Sequence, residues 1–443
     1  MNNPVLSIED VPINRFHQLL TVRSGGGWLL DGYILSILGV ALVPFSSELG
    51  LDSFWEGLIA AAALIGIFFG GFIGGAATNH FGRKKLYFVG PIIFMLCSIG
   101  QFWAESALTL FICRFCIGIG VGFEYPVAGS ILVEYLPAKS RGPRLAALTI
   151  LWFAGAALAY IIGNLILNYG GDDAWRWVLL SPAFIGLVLL IIRLGTPESP
   201  RWLLSKGRPE EAERVIKQVY GSQFGLQILP EHPPQQNASL AQLLKAGYGA
   251  RMAFVSLFWM CSVIPVFAVY AFAPRVLQAM NLTGTAAAYG SVAITVLFVI
   301  GCAVATWIID IIGRRPMVIH SFLWSGLALL CLGFFSDANE YLVLVLFGLY
   351  ALFIGGAQVL QLVYPNEIFP TEIRSIGVGV GASVSRIGAA VGTWVVPIAL
   401  ESVGIGYTMI GAAVVTFIGL FVSVTLAPET RGMSLEQASS LKR

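Results

Sequence analysis

Four ionisable residues of this sequence stand inside long apolar runs: Asp31, Arg114, Glu124 and Arg386. A charge in a hydrocarbon interior costs about 2.5 to 3.5 kcal/mol even on lenient scales, so such side chains mark pairing, proton relay or a charged ligand. Asp31 and Glu124 have the chemistry to take up and release a proton, because burial favours the neutral carboxyl. Glu124 follows Arg114 by roughly 15 Å of helix, which places Arg114 toward one membrane face and Glu124 near the midplane. Asp31, Glu124 and Arg114 are therefore the proton-coupling candidates. An arginine keeps its proton in a protein, so Arg386 needs a carboxylate opposite it, either Asp31 or Glu124 as a structural ion pair or a bound anion.

Other residues in the same runs have the shape and polarity to line a solute cavity. They are the aromatics Trp28, Tyr33, Tyr125, Trp152, Tyr270 and Trp394 and the amides Asn164, Gln358 and Gln361, which with Arg386 make the candidate substrate site. Cys113-x-x-Cys116 has a redox or zinc spacing, but no second cysteine pair or histidine lies near it in sequence, and it reads as helix packing. His17, His80 and His232 fall at or outside the ends of apolar runs and His320 near the start of one, so no metal site is expected. With no Walker A lysine loop and no catalytic constellation, neither nucleotide hydrolysis nor an enzyme is expected. The proton, as coupling ion, stands in place of a cofactor.

The elements that must hold these residues follow from composition. Hydrophobic residues make up 57% of the 443 residues and charged ones 11%, and the mean hydropathy is +0.81. Such a chain cannot cover a soluble globule and must be solvated by lipid. Runs long enough to cross a ~30 Å hydrocarbon core as helices fall near residues 20–44, 56–78, 86–104, 108–131, 145–167 and 176–195, and again near 252–274, 286–309, 316–335, 341–363, 376–399 and 406–427. They are continuously apolar rather than alternating, which excludes barrel strands. Glu9, Asp10 and Pro12 precede the first run where a signal peptide would carry its charged and apolar regions, so that run is expected to be retained. Lys and Arg concentrate in alternate loops, and by the positive-inside rule both termini are cytoplasmic.

The polar junctions repeat. Glu134-x-x-Pro137-x-x-x-Arg141 returns as Glu367-x-x-Pro370-x-x-x-Arg374, Pro197-Glu198 as Pro428-Glu429, and Gly82-Arg83 as Gly313-Arg314, each about 230 residues on. The chain is thus expected to be two six-helix bundles, 1–195 and 251–443, the second ending in a short tail. A polar linker, 196–250, joins them. In the linker, Pro209 with Glu210 and Glu211 opens a helix, and Pro230, Pro233 and Pro234 interrupt before Asn237-Ala-Ser239.

These junctions resemble those of the major facilitator superfamily, in particular its sugar porter branch. The carrying phrases are Gly75-x-x-x-Asn79-His80-x-Gly82-Arg83-Lys84, Arg114-x-x-x-Gly118-x-Gly120, Glu134 to Gly142, Pro197 to Arg201 and Pro428 to Gly432, in the family's order over nearly the whole chain. The resemblance implies an all-α membrane fold of twelve helices in two pseudo-symmetric bundles. It also implies a gating-latch role for Arg83, Glu134, Arg141, Glu198, Arg201, Arg314, Glu367, Arg374 and Glu429, which would bond helix ends of the neighbouring repeat in one rocked state only. Asn79 replaces the family's aspartate. Asp31 stands one turn before the position of the sugar porter acid, here Ile34, and resembles the first acid of D-G-Y-D in aromatic-acid and nicotinate-type carriers. Gly122-Phe-Glu124-Tyr125-Pro126 resembles phosphate and nicotinate carriers, and Ser385-Arg386 resembles organic-ion carriers.

The small-residue rows Gly66-x-x-x-Gly70-x-x-x-Gly74 and Gly377-x-x-x-Gly381 suit either a sliding interface between bundles or static packing. Together these readings predict a monomeric, multi-pass plasma-membrane carrier (inner membrane in a bacterium). It would work by proton-coupled alternating access on a small organic solute such as a sugar acid or an aromatic or other small carboxylate, with lipid and substrate as its partners and no nucleic acid. The open alternatives are a carrier of a neutral sugar or polyol, facilitated rather than coupled transport, and a transporter-like sensor.

Overall fold

The computed structural model describes residues 11–171, 173–229, 240–280, 285–336, 339–433 and 435–440. Twelve helices among them are long and apolar enough to cross a membrane. The first six are α1 (Arg15–Leu49), α2 (Ser53–Phe81), α3 (Arg83–Phe102), α4 (Ala107–Tyr135), α5 (Ala138–Tyr169) and α6 (Ala174–Arg193). Three short helices follow, α7 (Pro200–Ser205), α8 (Pro209–Tyr220) and α9 (Leu240–Lys245). The second six are α10 (Gly249–Ala279), α11 (Thr285–Ile312), α12 (Arg314–Phe334), α13 (Glu340–Ile368), α14 (Thr371–Ser402) and α15 (Gly404–Leu426), before the tail helix α16 (Leu435–Ser439). The linker prolines and Asn237-Ala-Ser239 lie outside the described residues.

Helix starts are written in the sequence. Asn14, Asp52, Ser106 and Asn339 accept from the main-chain N–H groups of His17, Trp55, Thr109 and Leu342, filling donors that a first turn leaves unpaired. The duplicated corners are built alike. Gly82 and Gly313 turn the chain at φ of 96° and 97°, a left-handed value that favours glycine. The carboxylates of Glu198 and Glu429 then cap the helices that follow, Glu198 accepting from Arg83 and Lys84 N–H and Glu429 from Arg314 and Arg315 N–H at 2.9–3.1 Å. A Cβ on Gly82 would stand 2.3 Å from Glu198 Oε2, and one on Gly313 2.7 Å from Glu429 Oε2. The hydroxyls of Tyr135 and Tyr364 complete the match by donating to the carbonyls of Glu198 and Pro428.

Glycines let helices meet backbone to backbone within each half. A Cβ on Gly32 would meet the Trp152 carbonyl, and one on Gly155 the Leu29 carbonyl, so α1 and α5 cross in contact. The row Gly66, Gly70, Gly74 faces Phe115, Ile119 and Phe123 of α4, while Gly377 and Gly381 face Phe369, Val255 and Trp259. Both rows therefore serve close packing inside a half, and the sliding-interface reading gives way to the static one. The halves meet along α2 with α14, α5 with α11 and α1 with α10. Gly57 of α2 packs on the Trp394 carbonyl and Pro397 of α14 at the ends remote from the arginine-rich corners.

The helix α8 has proline at its start and Glu210 and Glu211 in its first turn. It buries Ala212, Ile216, Val219 and Tyr220. Tyr220 donates to the Tyr135 carbonyl and Val219 accepts from Asn14, which docks the linker onto the ends of α1 and α4.

Candidate functional site

The N-terminal third of α1 threads through a buried charge cluster. Arg193, the last residue of α6, is 0% exposed and Glu124 of α4 is 1% exposed. Arg193 grips the carboxylate with two nitrogens, Nη2 to Oε1 and Nη1 to Oε2, the second at 3.0 Å. The same guanidinium donates to the Tyr87 carbonyl and stacks 3.7 Å over the Tyr87 ring, whose hydroxyl bonds Ser24 at 3.0 Å. The glycine run 25–27 makes room. A Cβ on Gly27 would stand 2.0 Å from Glu124 Oε1 and 2.3 Å from Arg193 Nη2. Arg23 donates to the carbonyls of Ile192 and Leu194, capping the end of α6 and holding Arg193 in place.

One turn further along α1, Asp31 is fully buried, and neither carboxylate oxygen has a hydrogen-bond partner among the described residues. Its field comes from Glu124 and Arg193 on its own half and from Arg386 on the other. Arg386 of α14 is half-buried, its guanidinium 5.2 Å over the Phe267 ring, and Phe267 meets Trp152 edge-on at 5.9 Å. Trp152 is the residue whose carbonyl touches Gly32. Gly32 beside Asp31, then Trp152, Phe267 and Arg386, thus form a chain of contacts from one half to the other.

In the second half, Gln358 donates to the Ser262 carbonyl at 3.0 Å. Gln361 donates to Ser262 Oγ at 2.8 Å and to Gln358 Oε1 at 2.7 Å. The two amides and a hydroxyl make a preformed polar patch on α13 and α10.

Other candidates lie elsewhere. Arg114 is buried on the far side of Asp31 and donates to the Ile34 carbonyl at 2.8 Å, so it occupies the level where a sugar porter carries its acid. Tyr33 is not cavity-lining, because its hydroxyl turns into its own half to bond Ser181 at 2.7 Å. Asn164 donates to Tyr160 on its own helix. Trp394 sits in the α2–α14 contact, 5.6 Å from Phe54, at the end of the bundle rather than its middle. Trp28 is half-buried beside the apolar clusters of the first half. The side chains of Tyr125, Tyr270, Arg141, Arg374 and Asn79 lie outside the described residues.

The described latch contacts stay inside each half. Arg83 pairs with Glu134 at 3.0 Å and Arg314 with Glu367 at 3.0 Å, with Glu198 and Glu429 capping as above. Arg314 also holds Asp310. Arg201 is half-buried in the first turn of α7, within electrostatic reach of Tyr220. The reason is geometric, since the α2–α3 corner and the end of α4 meet on one half. Sequence reasoning missed Arg193, which closes an apolar run and looks like a topology signal. The available clue was Glu124, an intramembrane acid that required a cation.

Residues 32–441 match the model of the sugar (and other) transporter family. The chain belongs to that family. Within it the chain is similar to the putative metabolite transport protein YaaU of Escherichia coli K12, 38% identical over 99% of this chain and 98% of that one. It is also similar to the inner membrane metabolite transport protein YgcS of the same strain, 33% identical over 100% and 98%. Among solved structures, a partially occluded inward-open xylose transporter XylE from E. coli superposes with a TM-score of 0.81, at 22% identity over 95% of this chain and 100% of that one. This family member therefore has the major facilitator fold of the sugar porter branch. It is a multi-pass membrane transporter and not an enzyme.

Proposed function

We propose that this transporter is a proton-coupled symporter of a small organic solute, working by alternating access between the two halves, with Asp31 as the proton-carrying acid. The observation that carries the reading is the contrast between two neighbouring acids. Glu124 is committed to Arg193, whereas Asp31 is sealed with no hydrogen-bond donor among the described residues. Asp31 ionised faces Arg386 across the halves, and Asp31 protonated releases it. Proton occupancy thereby biases how the halves meet. Arg114, one level away, would bound the site on its other side.

For the solute, a carboxylate such as a sugar acid gives Arg386 its counter-charge when Asp31 is neutral, while Gln358 and Gln361 bond its hydroxyls. A neutral sugar or polyol is the second reading. It is favoured by the Gln358–Gln361–Ser262 patch and by similarity to the major myo-inositol transporter IolT of Bacillus subtilis, 29% identical. The arginine-rich corners are assigned to the cytoplasm, and the inner membrane is the proposed location in a bacterium.

The test is uptake from a metabolite pool into proteoliposomes, read by mass spectrometry with and without an imposed pH gradient. Asp31→Asn should lose gradient-driven accumulation and keep solute counterflow, because exchange needs no proton return. Accumulation by Asp31→Asn equal to the parent would sink the proposal.

A further inference from the structure

The first turn of α1 is closed by a histidine where a glutamate or glutamine is usual. In a capping box the third residue of a helix accepts from the N–H of the cap residue. Here His17 Nδ1 accepts from Asn14 N–H at 3.1 Å, while Asn14 Oδ1 accepts from His17 N–H. The other ring nitrogen, Nε2, lies 3.1 Å from the Tyr135 carbonyl at the end of α4. A main-chain N–H can only donate and a carbonyl can only accept, so Nδ1 is bare, Nε2 carries the proton and the imidazole is neutral. His17 is 0% exposed. The linker is fastened to the same partners. Tyr220 of α8 donates to that Tyr135 carbonyl at 2.8 Å and holds its ring 5.5 Å from the His17 ring, and Val219 accepts from Asn14 Nδ2 at 2.7 Å.

A second proton on this ring has no acceptor. On Nδ1 it would face the Asn14 N–H, and its charge would stand in the first turn of a helix, the end that disfavours cations. The charged groups of the packed elements give no relief. From α5, Arg144 adds a positive field and is anchored on Thr21, one turn along α1. At the end of α4, Glu134 is held by Arg83. On α8, Glu213 is paired with Lys217, and Arg201 of α7 acts on Tyr220. Arg15, on α1 itself, is a further cation. We propose that His17 is a pH-operated clasp: neutral, it fastens the linker to the ends of the two helices that carry Asp31 and Glu124; protonated, it gives up the cap and frees the linker. Docking needs the neutral ring, so the clasp is whole above the ordinary histidine value of about 6.5 and weakens as pH falls below it. The device does not depend on which acid carries the coupling proton.

Hydrogen–deuterium exchange of the α8 peptide in the full-length protein in detergent, corrected for the intrinsic rate at each pH, reads the clasp. Between about pH 7.5 and about pH 5.5 the parent's α8 should lose protection several-fold, a range that spans the titration of histidine. His17→Gln restores the ordinary capping box with a side chain that does not titrate, so its α8 should stay protected throughout. An equal acid loss in the parent and His17→Gln overturns the proposal, as does protection in the parent that does not change with pH. If His17→Gln does not fold, Tyr220→Phe carries the test. It leaves His17 in place and removes the linker's bond to the Tyr135 carbonyl, so release should move to higher pH; an unmoved midpoint overturns the proposal.

Discussion

Asp31 and Glu124 are buried acids one turn apart in height, yet their substitutions should behave in opposite ways. Glu124→Gln leaves the fully buried Arg193 guanidinium without its carboxylate, and breaking a buried pair from one side costs about 3 to 5 kcal/mol. A large loss of Tm in detergent is expected, with much of it recovered in Glu124→Gln/Arg193→Met, where no lone charge remains. Equal additive losses in the double variant would show that the pair is not coupled. Asp31→Asn removes no hydrogen bond among the described residues and should leave Tm unchanged or raised while coupling is lost. Arg386→Lys probes the solute: the charge stays but the two-point grip goes. For a carboxylate substrate, apparent affinity should fall about tenfold, or ~1.4 kcal/mol, whereas unchanged transport favours a neutral sugar or polyol. Asp31, Glu124 and Arg386 were legible in the sequence because charge in an apolar run is costly wherever it points. Tyr33 and Asn164 were misjudged because a helix that is apolar all round does not reveal which face turns to the cavity.

At the scale of helices, two glycines of α2 make the same kind of contact with different neighbours. Gly57 approaches Trp394 on the other half and Gly66 approaches Phe115 on its own, with prospective Cβ contacts of 2.3 and 2.2 Å to carbonyl oxygens. Gly57→Val should hold the remote ends of the halves apart while each half stays folded, so a cysteine placed between them becomes more reactive to an impermeant thiol reagent added from that side. Gly66→Val should instead split α2 from α4 and lower Tm. Identical phenotypes for the two would mean that α2 packs alike along its length. The sequence announced each span by its length and apolarity and each helix start by a capping residue. The partner of a glycine row stayed hidden, because close approach looks the same in sequence whether the neighbouring helix is in the same half or the other.

At the scale of the molecule, the duplication was readable in the sequence because each junction phrase binds backbone, which tolerates few alternatives. The Glu429 corner carries a pH signature. Burial works against its ionised form, but the N–H groups of Arg431, Arg314, Arg315 and Thr430 outweigh that and hold its carboxyl below the ordinary glutamate value. With the folded value below the unfolded one, the corner's contribution is complete above the unfolded value and lost as pH falls through the folded one. Tm should therefore show no pH dependence from this group between pH 6 and 8, a window above the unfolded glutamate value of about 4.3, and an acid limb below that value which Glu429→Gln abolishes. A limb unchanged in the variant would assign it to other carboxylates.

The cradled glycines also bear on how this gene tolerates error. Every single-nucleotide missense change in a glycine codon introduces a Cβ, and at Gly27, Gly82 and Gly313 that carbon lands within 2.0–2.7 Å of a carboxylate oxygen. At Gly71 and Gly411 the same carbon meets nothing within 4 Å. A saturation library selected for transport should therefore be emptied of variants at the first three codons and well populated with alanine at the other two. The catalogue of permitted spellings would then trace the buried charges of this protein without any structure being solved.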